Sequence, residues 1–321
     1  MALLSPEQLQ KWRDEGYLVI PGFFTPDETT EMLDRAHKLL NEFRIEGHPL
    51  TTFRTEEDGE HVGDDYFLNS GDKIRYFLEP SSLSPATPTS PAQLLVPPAQ
   101  SINKIGHALA TLDPVFRRYT LENDRMTTLA KELGEHISPR VLQSMIICKQ
   151  PKIGGKGMSS ERGTELRAVP CHNDSTFLYT DPPSAVGAWV ALEECTANNG
   201  CLSFLPGSHK TARVSSRFVR AQGGGTTFED VPGVEPNVEK WDELDGWVEA
   251  PCSPGTLVLI HACVTTDTIE KGSVMHRSPP NPSDKSRVIY TFHMIEGGEG
   301  HVYDEKNWLQ PTKEMPFPAL F

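Results

Sequence analysis

The sequence predicts a mainly β fold with flanking helices, of the sandwich or jelly-roll kind. From about Val141 onward the chain breaks into short apolar runs: Val141–Lys149, Val186–Leu192, Cys201–Leu205, Thr256–Ile260 and Arg287–Met294. Gly, Pro and Asn separate them, which is the texture of an antiparallel β domain and not of a parallel βαβ sheet. Ahead of them stand two helix-start signals, Ser5-Pro6-Glu7-Gln8 and Thr25-Pro26-Asp27-Glu28. Each is a capping box with Pro at the first helical position.

The 321 residues read as one domain, since β-rich domains often exceed 200 residues. Residues 1–140 form a mainly helical flank, 141–296 the jelly-roll core and 297–321 a C-terminal tail. Between the first two helices, Tyr17-Leu18-Val19-Ile20 reads as a strand closed by a Pro21-Gly22 turn. The second helix should run to about Phe43, with Met32, Leu33, Ala36, Leu39 and Leu40 as its apolar face. Residues 80–100 are rich in Pro and Ser and exclude a helix or central strand. They are a surface loop or, more sharply, a lid over a pocket. Helices are predicted over Ile102–Leu112 and Met126–Gly134, and polar loops over 152–167, 222–237 and 264–273.

Acidic residues number 44 against 30 basic ones, a formal charge of −14. That balance argues against nucleic acid as a partner, because phosphate binding needs basic patches. No run approaches 18 apolar residues, so no membrane span is expected. The six cysteines contain no C-x-x-C pair and read as free thiols of a reducing, cytoplasmic compartment.

The chemistry starts at His172-Asn173-Asp174. Residues two apart on a strand share a face, so this run offers a metal one imidazole and one carboxylate. A second histidine would complete the two-histidine, one-carboxylate triad of non-haem Fe(II) oxygenases. On its own H-x-D is a weak signal that also suits a surface turn. The third ligand must come from His209, His261, His276, His293 or His301. A dicarboxylate cosubstrate would need a planar, bidentate cation beside the metal, a task for Arg. Arg287 follows His276 by 11 residues and opens the run Arg287–His293, on which Arg287, Ile289, Thr291 and His293 share one face. His209 also precedes an arginine, Arg220, by 11 residues, but it follows a Pro-Gly-Ser turn and no strand pattern surrounds Arg220. His276 is therefore favoured, while His293 and His301 read as structural.

The stretch HNDSTFLYTDPPSAVGAWVALEECTANNGCLSFLPGSHK resembles the phytanoyl-CoA dioxygenase family. SINKIGHALATLDPVF, QSMIICKQP, GTLVLIH, SRVIYTFHMIEGGEG and NWLQPT extend the resemblance over nearly the whole chain. It implies a double-stranded β-helix (a cupin-like jelly roll) and an Fe(II)- and 2-oxoglutarate-dependent dioxygenase. It places His172, Asp174 and His276 as iron ligands, and Arg287 as the grip on the far carboxylate of 2-oxoglutarate. It implies cosubstrate contacts at Lys104, Met145 and Trp189, with Gln143 on the strand face of Met145 a weaker candidate. His209 then belongs to the fold. Without the resemblance, Met145 and Trp189 read as core and Lys104 as a solvated helix residue. Phe177 and Tyr179 suit a substrate wall or the core equally, and Cys171 should pack on the face opposite His172.

The implied reaction hydroxylates or desaturates a small organic substrate with O2 and releases succinate and CO2, with ascorbate as a supporting reductant. The alternatives are a metal-binding jelly roll without activity, a tailoring oxygenase of secondary metabolism on the same fold, and a cupin-type enzyme that does not use 2-oxoglutarate. Two segments are longer than the family pattern: the one between Gln150-Pro151 and His172, bordering the pocket mouth, and VTTDTIEKGS at 264–273, before His276.

Overall fold

Both capping boxes start helices in the computed structural model, which describes residues 2–52, 64–87, 90–151, 168–261 and 272–321. Ser5 Oγ accepts from Gln8 N, and the Gln8 side chain accepts from Ser5 N, at the head of α1 (Pro6–Glu15). Thr25 and Glu28 repeat the arrangement for α2 (Pro26–Glu42). The α2 face packs as its spacing predicts, with Met32, Ala36, Leu39 and Leu40 buried. Four further helices follow: α3 (Asp65–Leu68), α4 (Leu109–Leu112), α5 (Pro114–Thr120) and α6 (Asp124–Leu133). No helix of the described residues is long and apolar enough to cross a membrane.

The strands are β1 (Tyr17–Ile20), β2 (Ile74–Leu78), β3 (Ile102–His107), β4 (Pro139–Lys149), β5 (Val169–His172), β6 (Thr180–Asp181) and β7 (Val186–Ala191). They continue with β8 (Leu202–Phe204), β9 (Ser216–Arg220), β10 (Thr226–Asp230), β11 (Val248–Ala250), β12 (Leu257–Ile260), β13 (His276–Ser278), β14 (Arg287–Glu296) and β15 (Val302–Tyr303). Seven form the larger sheet in the order β1-β12-β7-β14-β4-β3-β2, and four form the smaller one, β11-β8-β13-β5. Adjacent strands within both sheets run antiparallel. The fold is thus the jelly roll that the sequence predicts. Three strands of the N-terminal flank, β1, β2 and β3, complete the larger sheet.

Each face of the larger sheet has its own core. Val190, Leu259, Tyr290 and Phe292 meet the helices, where Phe116 of α5 lies 4.5 Å from the Tyr290 ring. Trp189, Val258, Ile260 and Ile289 point inward against Leu202 and Phe204 of the smaller sheet. All ten residues of β14 are buried. This explains the nearly continuous apolar run after Arg287: a strand covered on both faces has no solvent side to alternate with.

Two local expectations fail. Ile102–His107 is strand β3, and only Leu109–Leu112 is helical. Flanking β2 and β4 satisfy its backbone groups on both edges, and tertiary pairing overrides weak helix propensity. Arg220 does end a strand, β9, and the Gly-rich segment 222–237 contains its partner β10, with Phe228 opposite Phe218. Residues 80–100 form 3-10 turns at Pro80–Ser82 and Pro98–Gln100, while Leu83, Leu94 and Ala99 pack on the core. The segment 152–167 and most of 264–273 lie outside the described residues.

Candidate metal and cosubstrate site

His172 is the last residue of β5, and Asn173 keeps the chain extended at φ −123°, ψ 151°. Asn173 Oδ1 then accepts from Thr176 N at 3.0 Å and caps a short turn, Asp174–Thr176. Asp174 therefore stands in a turn just past the strand and not on it, a correction to the shared-face argument. The extended Asn173 still brings its carboxylate beside His172. From the neighbouring strand, His276 opens β13 directly opposite His172. The two imidazole centroids lie 4.2 Å apart.

The donor atoms of His172, Asp174 and His276 all fall within 4.8 Å of one another. Asp174 Oδ1 is 3.9 Å from His172 Nε2 and 3.6 Å from His276 Nε2. Each Nδ1 is held by a carbonyl two residues back in the chain, Pro170 O at 2.8 Å and Val274 O at 3.2 Å. A carbonyl only accepts, so Nδ1 carries the proton in both rings and Nε2 turns its lone pair inward. Burial pushes His172 down to about 3, with His276 adding to the effect, so its ring is neutral and free to ligate. Burial alone would raise Asp174. The imidazoles of His293 and His276 outweigh it and hold the carboxyl well below the usual range.

These donors border a cleft of about 200 Å3 between the two sheets, lined also by Lys104, Gln143, Met145, Trp189, Arg287 and His293. His172, Asp174, His276, Arg287, Lys104, Met145, Trp189 and Gln143 thus line one cavity, and His209, His261 and His301 do not. Gly187 makes room at the metal end: a Cβ there would lie 2.9 Å from Asp174 Oδ2. Strand register explains the rest. Arg287 pairs with Lys149, Ile289 with Ile147 and Thr291 with Met145 along β14 and β4. Lys104 of β3 flanks Ile147, and Trp189 of β7 flanks Thr291. Arg287 is 2% exposed, and its guanidinium sits 5.7 Å from the Trp189 ring centroid. Its Nε has no hydrogen-bond partner, and no carboxylate of the described residues lies within ion-pairing distance. Burial pushes Lys104 down to about 7, against the pull of Asp174.

The family model for phytanoyl-CoA dioxygenase (PhyH) matches residues 12–289. The chain belongs to the phytanoyl-CoA dioxygenase family. The relatives include phytanoyl-CoA dioxygenase domain-containing protein 1 of Rattus norvegicus, 44% identical with all of both chains covered. The Arabidopsis thaliana phytanoyl-CoA dioxygenase is 37% identical over 98% of this chain and 96% of its own. Among solved structures, the non-haem α-ketoglutarate-dependent carbocyclase SnoK aligns with a TM-score of 0.57 at 19% identity, covering 95% of this chain and 88% of its own. EctD from S. alaskensis, solved with 2-oxoglutarate and 5-hydroxyectoine, aligns at 0.55 and 20%, covering 92% and 77%. These likenesses support the jelly-roll fold. By its family, the chain is an enzyme of the non-haem Fe(II)/2-oxoglutarate-dependent class.

Two features go beyond the sequence reading, which names Phe177 as a possible wall residue but not Phe218 or Trp308. His293, which reads as structural, brings Nε2 to 3.3 Å from Asp174 Oδ2. Its place on the strand face of Arg287 was the available signal. Aromatic residues also wall the cavity beside His172, where Phe177 lies 5.8 Å from the imidazole and 5.5 Å from Phe218. Trp308 of the tail, stacked 4.5 Å from Phe67, completes this wall. Of the other histidines, His209 stands away from the triad, with Nε2 3.1 Å from Arg13 O and its ring 5.0 Å from His261. Cys171 packs beside Leu205 and Met275, and burial pushes its thiol up to about 12, which removes thiolate reactivity at neutral pH.

Proposed function

We propose that this protein is an Fe(II)- and 2-oxoglutarate-dependent dioxygenase that hydroxylates or desaturates a small organic substrate and releases succinate and CO2. One observation carries this: two imidazole nitrogens and one carboxylate oxygen converge on a point, in the same cleft as a buried arginine that has no carboxylate partner among the described residues. The donor set suits Fe(II) and leaves coordination positions free for cosubstrate and O2. When bound, the iron supplies O2 activation coupled to decarboxylation of 2-oxoglutarate.

His172, Asp174 and His276 would hold the ion. Arg287 would take the far carboxylate of 2-oxoglutarate in a bidentate pair, with Lys104 adding positive charge from the adjoining strand. Met145 and Trp189 would line the cosubstrate's flanks, and the two sheets exclude water around it. The substrate C–H bond would approach from the aromatic side, past Phe177 and Phe218. A metal-binding jelly roll without activity is disfavoured, because it would leave a buried guanidinium with no carboxylate partner among the described residues. Free thiols at the five described cysteines support a reducing compartment such as the cytosol. Ascorbate would serve to keep the iron reduced.

The test is succinate formation from 2-oxoglutarate by purified protein with Fe(II), O2 and ascorbate. His172→Ala and Asp174→Ala are each expected to abolish it and to lose bound metal. Undiminished succinate in either variant would reject the assigned ligands.

A further inference from the structure

Asp174 presents its two oxygens to different surroundings. Oδ1 faces both ligand imidazoles, at 3.6 Å from His276 Nε2 and 3.9 Å from His172 Nε2. Oδ2 is buried, has no aligned hydrogen bond and lies 3.3 Å from Nε2 of His293. On the far side of that ring, the Gln143 amide nitrogen lies 3.3 Å from His293 Nδ1. An amide NH2 donates, so Nδ1 accepts and the imidazole proton sits on Nε2, within 3.3 Å of the carboxylate oxygen and a small ring rotation from alignment with it. In a neutral ring the flipped amide would put the lone pair of Nε2 against an anion, so of the two neutral tautomers only this one suits all three groups.

The backbone builds this arrangement. Phe292 pairs with Ser144 and Met294 with Val141, so Leu142 and Gln143 together oppose the single residue His293. Gln143 shares the strand face of Met145 and lines the cavity with it. On the other flank His293 pairs with Gly187, whose missing Cβ leaves the space that Oδ2 occupies. His293 and Gln143 are 6% and 8% exposed, so bulk water cannot replace them as partners.

We propose that His293, oriented by Gln143, is a positioning residue that captures Asp174 Oδ2 and so restricts Asp174 to one donor oxygen. The proposal rests on the oxygenase assignment above. A carboxylate free to use both oxygens would occupy one more position on the ion, at the expense of 2-oxoglutarate, which itself needs two. His293 would then set cosubstrate affinity without touching metal, cosubstrate or substrate.

The experiment measures 2-oxoglutarate affinity of the full-length protein saturated with Mn(II), with anaerobic Fe(II) and the visible charge-transfer band of its 2-oxoglutarate chelate as a second readout. His293→Phe keeps the ring volume and removes the donor. It should weaken 2-oxoglutarate binding about tenfold or more and diminish the band, in the range typical for outer-shell partners of metal ligands. His293→Gln should restore affinity to within about threefold of wild type, since its amide can donate to Oδ2. Gln143→Leu should weaken binding in the same direction by less, and it keeps the test open if His293→Phe does not fold. Unchanged 2-oxoglutarate affinity in His293→Phe, even with a lowered Tm, would overturn the proposal. Equal losses in the Phe and Gln variants would overturn it as well. Failure of the wild-type protein to bind 2-oxoglutarate at saturating Mn(II) would instead reject the oxygenase assignment, and the proposal with it.

Discussion

The arginine at the head of β14 shows how much one side chain carries. Arg287 is buried, its Nε lacks a hydrogen-bond partner, and no carboxylate of the described residues pairs with it. Charge-assisted bonds to a carboxylate contribute about 1.5–3 kcal/mol, so Arg287→Ala should raise the KM for 2-oxoglutarate roughly 10- to 150-fold. Steady-state kinetics at varied 2-oxoglutarate checks this, and an unchanged KM would assign the far carboxylate to another cation. His209 supplies a second prediction at this scale. Burial and the neighbouring His261 push it down to about 4 from an ordinary 6.5. Between those values the unfolded chain binds the extra proton, so stability falls as pH drops from 6.5 to 4, by up to about 1.4 kcal/mol per pH unit. A His209→Gln variant should show a flatter dependence of Tm on pH across that window; an equally steep one would assign the acid sensitivity elsewhere.

At the scale of elements, the site depends on how strands and helix ends meet. His209 sits in the Pro-Gly-Ser-His turn, against the end of α1, where Gly16 takes a left-handed φ of 79°. A Cβ on Gly16 would collide with His209 Nδ1. Gly16→Ala should therefore cost at least about 1 kcal/mol in backbone strain alone, with the clash adding to it. Denaturant unfolding of that variant measures the loss, and an unchanged midpoint would mean that the two elements do not meet. Much at this scale was legible in the sequence, because capping boxes, β14 and the α2 face are written in local spacing. Helix was wrongly expected at Ile102–His107, because its two edges are satisfied by β2 and β4, which lie 24 and more residues away in the chain. The β9–β10 hairpin was missed because Gly223, Gly224 and Gly225 masked a strand pair with polar composition.

For the whole molecule, the important fact is that the site belongs to both sheets. His172 and His276 come from the smaller sheet, while Arg287, Lys104, Met145 and Trp189 come from the larger. An ion and 2-oxoglutarate bound together would join the two layers and stabilise the folded state by mass action, by about 2.7 kcal/mol at a hundredfold excess over Kd. Thermal unfolding with Mn(II) and 2-oxoglutarate together should thus give a Tm above that with Mn(II) alone. Arg287→Ala should remove the increment due to 2-oxoglutarate. An additional increment equal to that of wild type in this variant would separate the arginine from cosubstrate binding.

Local order in the chain determined the helix starts, the strand texture, the His172–Asp174 pair and the spacing of Arg287 from His276, since each depends on residues a few positions apart. The tertiary structure alone decided that His276 and not His209 meets the pair, because β13 lies beside β5 only through the sheet topology. It also decided that His293 reaches Asp174 Oδ2, through a strand register and a bulge that no single segment encodes. The physical reason is common to both. A donor set needs side chains within a few ångströms, and residues 100 or more positions apart come that close only when the sandwich closes over its core.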